Sequence, residues 1–178
     1  GNGIMDAIEN LMTRRSVRRF TDRRISLEDL ETITNAARMA PSGMNRQLWK
    51  FTVLKNKELM TELAHRISDS LGRDYQYNFY GPDALILASN AKDNPHGQAD
   101  CACALENIFL AAHALGIGSV WINQLNGICD EPAVRAVLTK LQIPENHIVW
   151  GMAALGYAEE KPAAADKKPA AETVGWIL

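Results

Sequence analysis

The stretch RRSVRRF, Arg14 to Phe20, sets four guanidinium groups around one serine and one valine, and Arg23 and Arg24 follow at once. Guanidinium groups present planar donor forks that match phosphate oxygens, and a serine hydroxyl adds a compact donor. Placed after a helix and before a turn, these side chains could converge on one phosphate. The alternative is a solvated basic loop, the usual fate of a charge run. A second segment, APSGMNRQLWKF (Ala40 to Phe51), brings Ser42, Gly43, Asn45 and Gln47 together. Its backbone and amide groups could read the polar edge of a planar heterocycle. A third, GIGSVWINQL (Gly116 to Leu125), has glycines that let the backbone approach a ligand closely.

Other chemistries fit less well. GIG is not a dinucleotide fingerprint, which needs three glycines between a strand and a helix. Here the order is helix, glycines, strand, and no Walker-type phosphate loop is present. His96 lies near Asp100, but two potential ligands are too few for a metal site. His113 sits in an apolar helix and reads as a hydrogen-bonded core histidine. Cys101, Cys103 and Cys129 are odd in number and form no CxxC pair, so the expectation is reduced thiols in a cytoplasmic core, with no disulfide scaffold.

The elements that must position these groups are legible in part. Met5, Ile8, Leu11 and Met12 have helical spacing. Ser26 and Asp29 resemble a capping box ahead of a second helix carrying Leu30, Ile33 and Ala37, which Pro41 ends. Residues 51–54 read as a short strand. Met60, Leu63, Ala64, Ile67 and Leu71 form a helical stripe, and ALILA (84–88) reads as a buried strand. Residues 99–115 predict a helix that is apolar almost all round, so it must be buried on most sides, one way being against a second subunit. SVWI (119–122) is another buried strand. Asp130, with Pro132 in the first turn, opens a helix through Leu141. Residues 147–157 read as a strand with Ile148, Trp150, Met152 and Ala154 on one face. EEKPAAADKKPAA (159–171) has almost no core-forming residues and reads as an arm, yet Val174, Trp176 and Ile177 follow it. An apolar strand beyond a polar arm suggests docking at a distance, on a partner subunit, or else fraying in solvent.

The whole chain has 178 residues, 47% of them hydrophobic and 22% charged, with a formal net charge of -2. That length suits one domain with a sizeable core. The near-neutral balance argues against a general nucleic-acid or membrane binder. No signal peptide or membrane-spanning run is visible. Residues 1–4 read as a cloning scar ahead of Met5, leaving residues 5–178 as a single domain with 159–178 as its C-terminal arm. Helices and strands alternate only loosely, which gives an α+β or mixed α/β domain without fixing strand order.

Taken in order, RRSVRRF, PSGMNRQLWKF, AAHALGIGSVWI and GYAEEKP…KKP make the chain similar to the nitroreductase family of flavin mononucleotide (FMN) enzymes, in its short form. The resemblance covers nearly everything from Met5. It implies an α+β fold with a central mixed sheet flanked by helices, in an intertwined obligate homodimer that exchanges C-terminal arms and holds FMN at the interface. By similarity, Arg14, Arg15 and Ser16 would bind the FMN phosphate and ribityl chain, and Arg18 would lie near the N1/O2 edge of the ring. Pro41, Ser42, Gly43 and Asn45 would come from the opposite subunit. Trp121, Ile122, Asn123 and Gln124 would run beside the ring, and Lys167 and Lys168 match a basic pair that reaches the phosphate. The family often has arginine at that pair and proline where Ala158 stands, so the phosphate geometry here departs from the usual pattern.

The implied activity is that of an NAD(P)H oxidoreductase, cytoplasmic, reducing a small-molecule electron acceptor such as a nitroaromatic, a quinone or an enone by ping-pong hydride transfer. No metal, membrane or nucleic-acid partner is expected, and no side chain is assigned as proton donor. Tyr75, Tyr77 and Phe79, in an aromatic cluster that runs on to Tyr80, would belong to a substrate pocket or lid; ordinary packing is the alternative. A competing reading is a flavin-binding protein without robust turnover, serving storage, sensing or delivery.

Overall fold

The computed structural model describes residues 5–74, 76–160 and 167–178. Four strands form one sheet in the order β1-β2-β4-β3, with β1 Trp49–Leu54, β2 Ala84–Ala91, β3 Gly118–Ile122 and β4 His147–Gly156. All three pairings are antiparallel. The mixed character expected of the sheet is confined to one parallel bridge, Ser16 to Ser119, on the outer edge of β3. Helices cover both faces. They are α1 Ala7–Thr13, α2 Leu27–Arg38, α3 Lys57–Leu71, α4 Gly97–Ala114 and α5 Pro132–Lys140.

Side-chain alternation divides the core into two layers. Along β2, Leu85 and Leu87 join α3 and α5 through Leu63, Ile67, Val137 and Leu138. Ala84, Ile86 and Ala88 face the other way, onto α2 and α4 through Ile33, Leu105 and Ile108. Strand β2 is buried on both faces, which explains why its sequence reads as a continuous apolar run. On β4 the expected single face breaks. Ala88 pairs with Gly151 and Ser89 with Val149, so Trp150 is left as the extra residue of a bulge. Met152 and Ala154 stay in the α3/α5 layer, while Trp150 packs in the α2/α4 layer.

Local signals hold at most helix starts. The Ser26 hydroxyl accepts the Asp29 N–H at 3.1 Å, and Asn56 caps α3 through the Leu59 N–H at 2.9 Å. Helix α5 starts one residue later than Asp130 suggests, at the Glu131 cap, because the Asp130 carboxylate is bound to Lys92 and Arg135. The buried Asp83 carboxylate accepts the Ile25 N–H at 2.9 Å and lies 3.1 Å from Lys55 Nζ, which ties the 21–25 loop to the start of β2.

His147, at the start of β4, places Nδ1 2.8 Å from the buried Ser89 hydroxyl. Burial, with Lys50 and Arg135 nearby, lowers its pKa from the ordinary 6.5. The folded state therefore takes up the proton less readily than the unfolded chain. The stabilisation is complete above the ordinary value and is lost as pH falls below it. Replacing His147 with glutamine should shrink the drop in Tm between about pH 7.5 and about pH 5.5; an equal drop in both proteins would remove His147 from the acid response.

Candidate functional site

Helix α4 is the rail on which the site segments are mounted. Its mean character is apolar, but its faces do different work. Cys101, Leu105, Ile108 and Ala112 lie against the sheet. On a second face, Leu110 O accepts from Asn10 Nδ2 at 2.8 Å, and His113 Nε2 pairs with the Thr13 hydroxyl at 2.8 Å, which docks α1. The expected hydrogen-bonded role of His113 is thus met, although the residue is only half-buried. Its pKa is lowered by burial first and by the Arg14 charge second.

Where α1 ends, RRSVRRF is laid across the edge of the sheet. Val17 N–H donates to Ser119 O at 2.9 Å, Thr21 N–H to Tyr157 O at 2.8 Å, and Glu159 N–H to Arg19 O at 3.0 Å. Two glycines make this close approach possible. A β-carbon at Gly118 would stand 2.9 Å from three atoms of Val17, and one at Gly156 would stand 2.7 Å from Phe20 Cδ1. The segment thus covers an edge strand that would otherwise expose unpaired amides.

Val17 is buried while Ser16, Arg18 and Arg19 are exposed and Arg14 and Arg15 are half-buried. Arg14 lies 3.8 Å from the half-exposed Glu106. Among the described residues, Arg18 and Arg19 carry no ion pair with an acidic side chain. A fixed backbone presenting several guanidiniums and one hydroxyl is a donor set suited to phosphate. Arg23 does not belong to it: its guanidinium stacks 3.9 Å above the Tyr157 ring.

Trp121, on β3, packs tilted against Phe109 at 6.0 Å between ring centres and over Gly151, where a β-carbon would stand 2.8 Å from its Cζ2. Its Nε1–H donates to Asn123 Oδ1 at 3.1 Å, and Asn126 also donates to that oxygen at 3.2 Å. Ile122 is buried in the core, so only its backbone is available to a ligand. Gln124 is half-buried and lies near Tyr77.

The loop bearing Pro41, Ser42, Gly43 and Asn45 hangs from a third face of α4, through Asp100. On an ideal helix, Asp100 lies roughly 80–140° round the axis from Glu106, Leu110 and His113. A single protomer therefore mounts this loop and the arginine segment on different sides of α4. Lys167 and Lys168 are exposed. Tyr75 lies outside the described residues.

Tyr77 lines a cavity of about 460 Å³ together with Asn78, His65, Lys57 and Arg24. Burial pushes its hydroxyl up to about 12, against a smaller opposing effect of Gln124, so it stays protonated. Phe79, expected in the substrate pocket, is instead wholly buried in the α3/α5 layer, edge-on to Tyr77 at 5.3 Å. Ordinary packing describes Phe79; Tyr77 remains accessible. The buried thiols behave as core groups: burial raises Cys101 to about 12 and raises Cys129, while Cys103 is exposed and free. Among the described residues no cluster of three or more His, Cys, Asp or Glu is placed to hold a metal, and no helix is long and apolar enough to cross a membrane.

Sequence reasoning missed the anchors that orient these segments, namely Asp100, Asn10 and Asn107, whose Nδ2 donates to Ala36 O at 2.9 Å. Their only signal was polarity inside otherwise amphipathic or apolar helices.

The nitroreductase family model matches residues 11–79 and 70–157. A protein of Archaeoglobus fulgidus named "Putative NADH dehydrogenase/NAD(P)H nitroreductase" is 34% identical over 161 residues, covering 88% of this chain and 87% of that one. The fold is similar to a Bacteroides fragilis nitroreductase solved with bound FMN, at a TM-score of 0.91 and 38% identity, covering 98% of this chain and all of that one. It is also similar to an FMN-bound nitroreductase from Desulfitobacterium hafniense, with a TM-score of 0.86, 28% identity and 98% of this chain covered. The match runs from the last turn of α1 to the residue after β4, taking in the arginine segment and the whole sheet, and the chain belongs to the nitroreductase family.

Proposed function

We propose that this protein is an FMN-dependent NAD(P)H oxidoreductase that reduces electron-poor small molecules such as nitroaromatics, quinones or enones. The observation that carries the reading is the arginine segment, fixed over Gly118 and Gly156 along the edge of the sheet, in a chain of this family. When bound, FMN supplies the hydride chemistry that no side chain here offers. Arg14, Arg15 and Ser16 would hold its phosphate and ribityl chain, with Lys167 and Lys168 adding charge. Arg18 would supply a fixed guanidinium able to stabilise negative charge on the bound group. The backbone of Trp121–Gln124 would lie beside the bound group, and Tyr77, as a neutral hydrogen-bond donor, would border the acceptor. NAD(P)H and the acceptor occupy one place in turn, which is a ping-pong cycle.

Pro41, Ser42, Gly43 and Asn45 complete the site from a second copy, since one protomer mounts them away from the arginines. The surface supports this dimer. On α1, Ile8, Leu11 and Met12 are exposed, and Val174, Trp176, Ile177 and Leu178 stand in solvent, Trp176 at 81%. Apolar surface of this extent marks an interaction site. Residues 5–178 then act as one domain whose arm, 159–178, docks on the partner. Deleting residues 173–178 should convert a dimer to monomers by light scattering and abolish FMN retention; a truncated protein that stays dimeric and yellow would place the interface elsewhere.

The direct test is the visible spectrum of the purified protein, identification of the flavin released on denaturation, and steady-state oxidation of NADH and NADPH with added acceptors. FMN near one per chain and parallel double-reciprocal plots support the reading. FMN without acceptor-dependent turnover would favour a storage or sensing protein. A colourless protein that takes up no FMN would refute both.

A further inference from the structure

We propose that Asp100 and Asn107 are positioning residues, a two-point clamp on α4 that sets the conformation of the Pro41–Asn45 loop; its functional half rests on the FMN reading above. The two side chains are seven residues apart, nearly two helical turns, so they project from one face. Asp100 Oδ1 accepts the Gly43 N–H at 2.9 Å, and Asn107 Nδ2 donates to Ala36 O at 2.9 Å. Between these anchors the chain leaves α2, passes the buried Ala40 and turns through Pro41 and Ser42.

The loop needs such a clamp. Met44, Asn45 and Gln47 all adopt left-handed backbone, with φ of 53°, 54° and 53°. Conformations of this kind are costly and persist only where surroundings over-determine them. Within the loop, Gln47 N–H donates to the Ser42 hydroxyl and Gln47 Nε2 to Asn45 Oδ1. Those bonds shape the loop but do not place it on the protein; Asp100 does. The approach is tight, since a β-carbon at Gly43 would stand 2.6 Å from His96 Cδ2. Asp100 is itself buried at 6% exposure, and its Oδ2 has no partner among the described residues.

The test uses the full-length apoprotein and two readouts. In Asp100→Ala, exchange of the Gly43 amide should accelerate roughly tenfold or more while β2 amides keep their protection. The FMN Kd, titrated by flavin fluorescence, should rise roughly tenfold. Asp100→Asn, which keeps a carbonyl oxygen for Gly43, should restore both. Unchanged Gly43 exchange in the alanine variant, or equal acceleration across β2, would overturn the clamp. Should Asp100→Ala fail to fold, Asn107→Ala releases the other anchor and is judged by the same readouts. A wild-type protein that takes up no FMN would defeat the cofactor reading, while Gly43 exchange would still decide the clamp.

Discussion

Replacing Arg14 with alanine is expected to weaken FMN binding by one to two orders of magnitude, and replacing Arg18 is expected to do something different in kind. Arg14 leaves α1 at its last turn, half-buried, with its backbone N–H bonded to Asn10 O at 3.1 Å and its charge only weakly answered by Glu106. A charge-assisted hydrogen bond from such a group to a phosphate contributes about 1.5–3 kcal/mol. That corresponds to roughly 10–100-fold in Kd. Fluorescence titration of apoprotein with FMN measures it, and riboflavin, which lacks the phosphate, should lose much less affinity than FMN in Arg14→Ala. If riboflavin loses as much affinity as FMN, Arg14 does not hold the phosphate. Arg18→Ala should lower the flavin reduction potential as well as loosen binding, because its guanidinium is assigned to the ring edge that becomes negative on reduction. An unchanged potential in a folded, flavin-loaded Arg18→Ala would sink that assignment.

The second large effect is expected from one methyl group. Gly118→Ala should destabilise the protein by about 1–3 kcal/mol, in the range for overpacking a well-packed interior. The new carbon meets Val17 Cβ, Cγ1 and Cγ2 at 2.9 Å each. Valine has two heavy atoms on Cβ and little rotamer freedom, so the side chain cannot step aside. Relief must come from the backbone, by lifting Val17 off β3 and breaking its bond to Ser119 O. The arginines on either side of Val17 move with it. Gly118→Ala should therefore lose FMN affinity as well as Tm, and Gly118→Ala combined with Val17→Ala should recover part of both. Loss of Tm with full FMN affinity would show that the strap does not set the arginine positions.

Much of this site could be read from the chain alone, and the reasons differ by residue. The arginines of RRSVRRF stand out, in the role proposed for them, because phosphate chemistry demands particular donor groups, whatever the fold. Helix α2 was legible because its cap and its Leu30, Ile33 and Ala37 spacing are local properties. Strand β2 announced itself as five apolar residues because both its faces are covered. Local pattern failed where neighbours decide. Trp150 follows the two-residue alternation of β4 in sequence, but a bulge set by pairing with β2 turns it to the other layer. Phe79 sits in an aromatic cluster suggestive of a pocket wall, yet the chain folds it wholly into the core with φ of 61°.

The sequence by itself determined the family and pointed to the proposed ligand chemistry, because donor type and local helix and strand periodicity are carried by residues close together in the chain. Only the tertiary structure decided where those donors point. Gly118 takes its meaning from Val17, Gly43 from His96 and Asp100, and the division of the site between two faces of α4 from contacts between distant segments. Such contacts depend on close packing in three dimensions, which no spacing along the chain encodes.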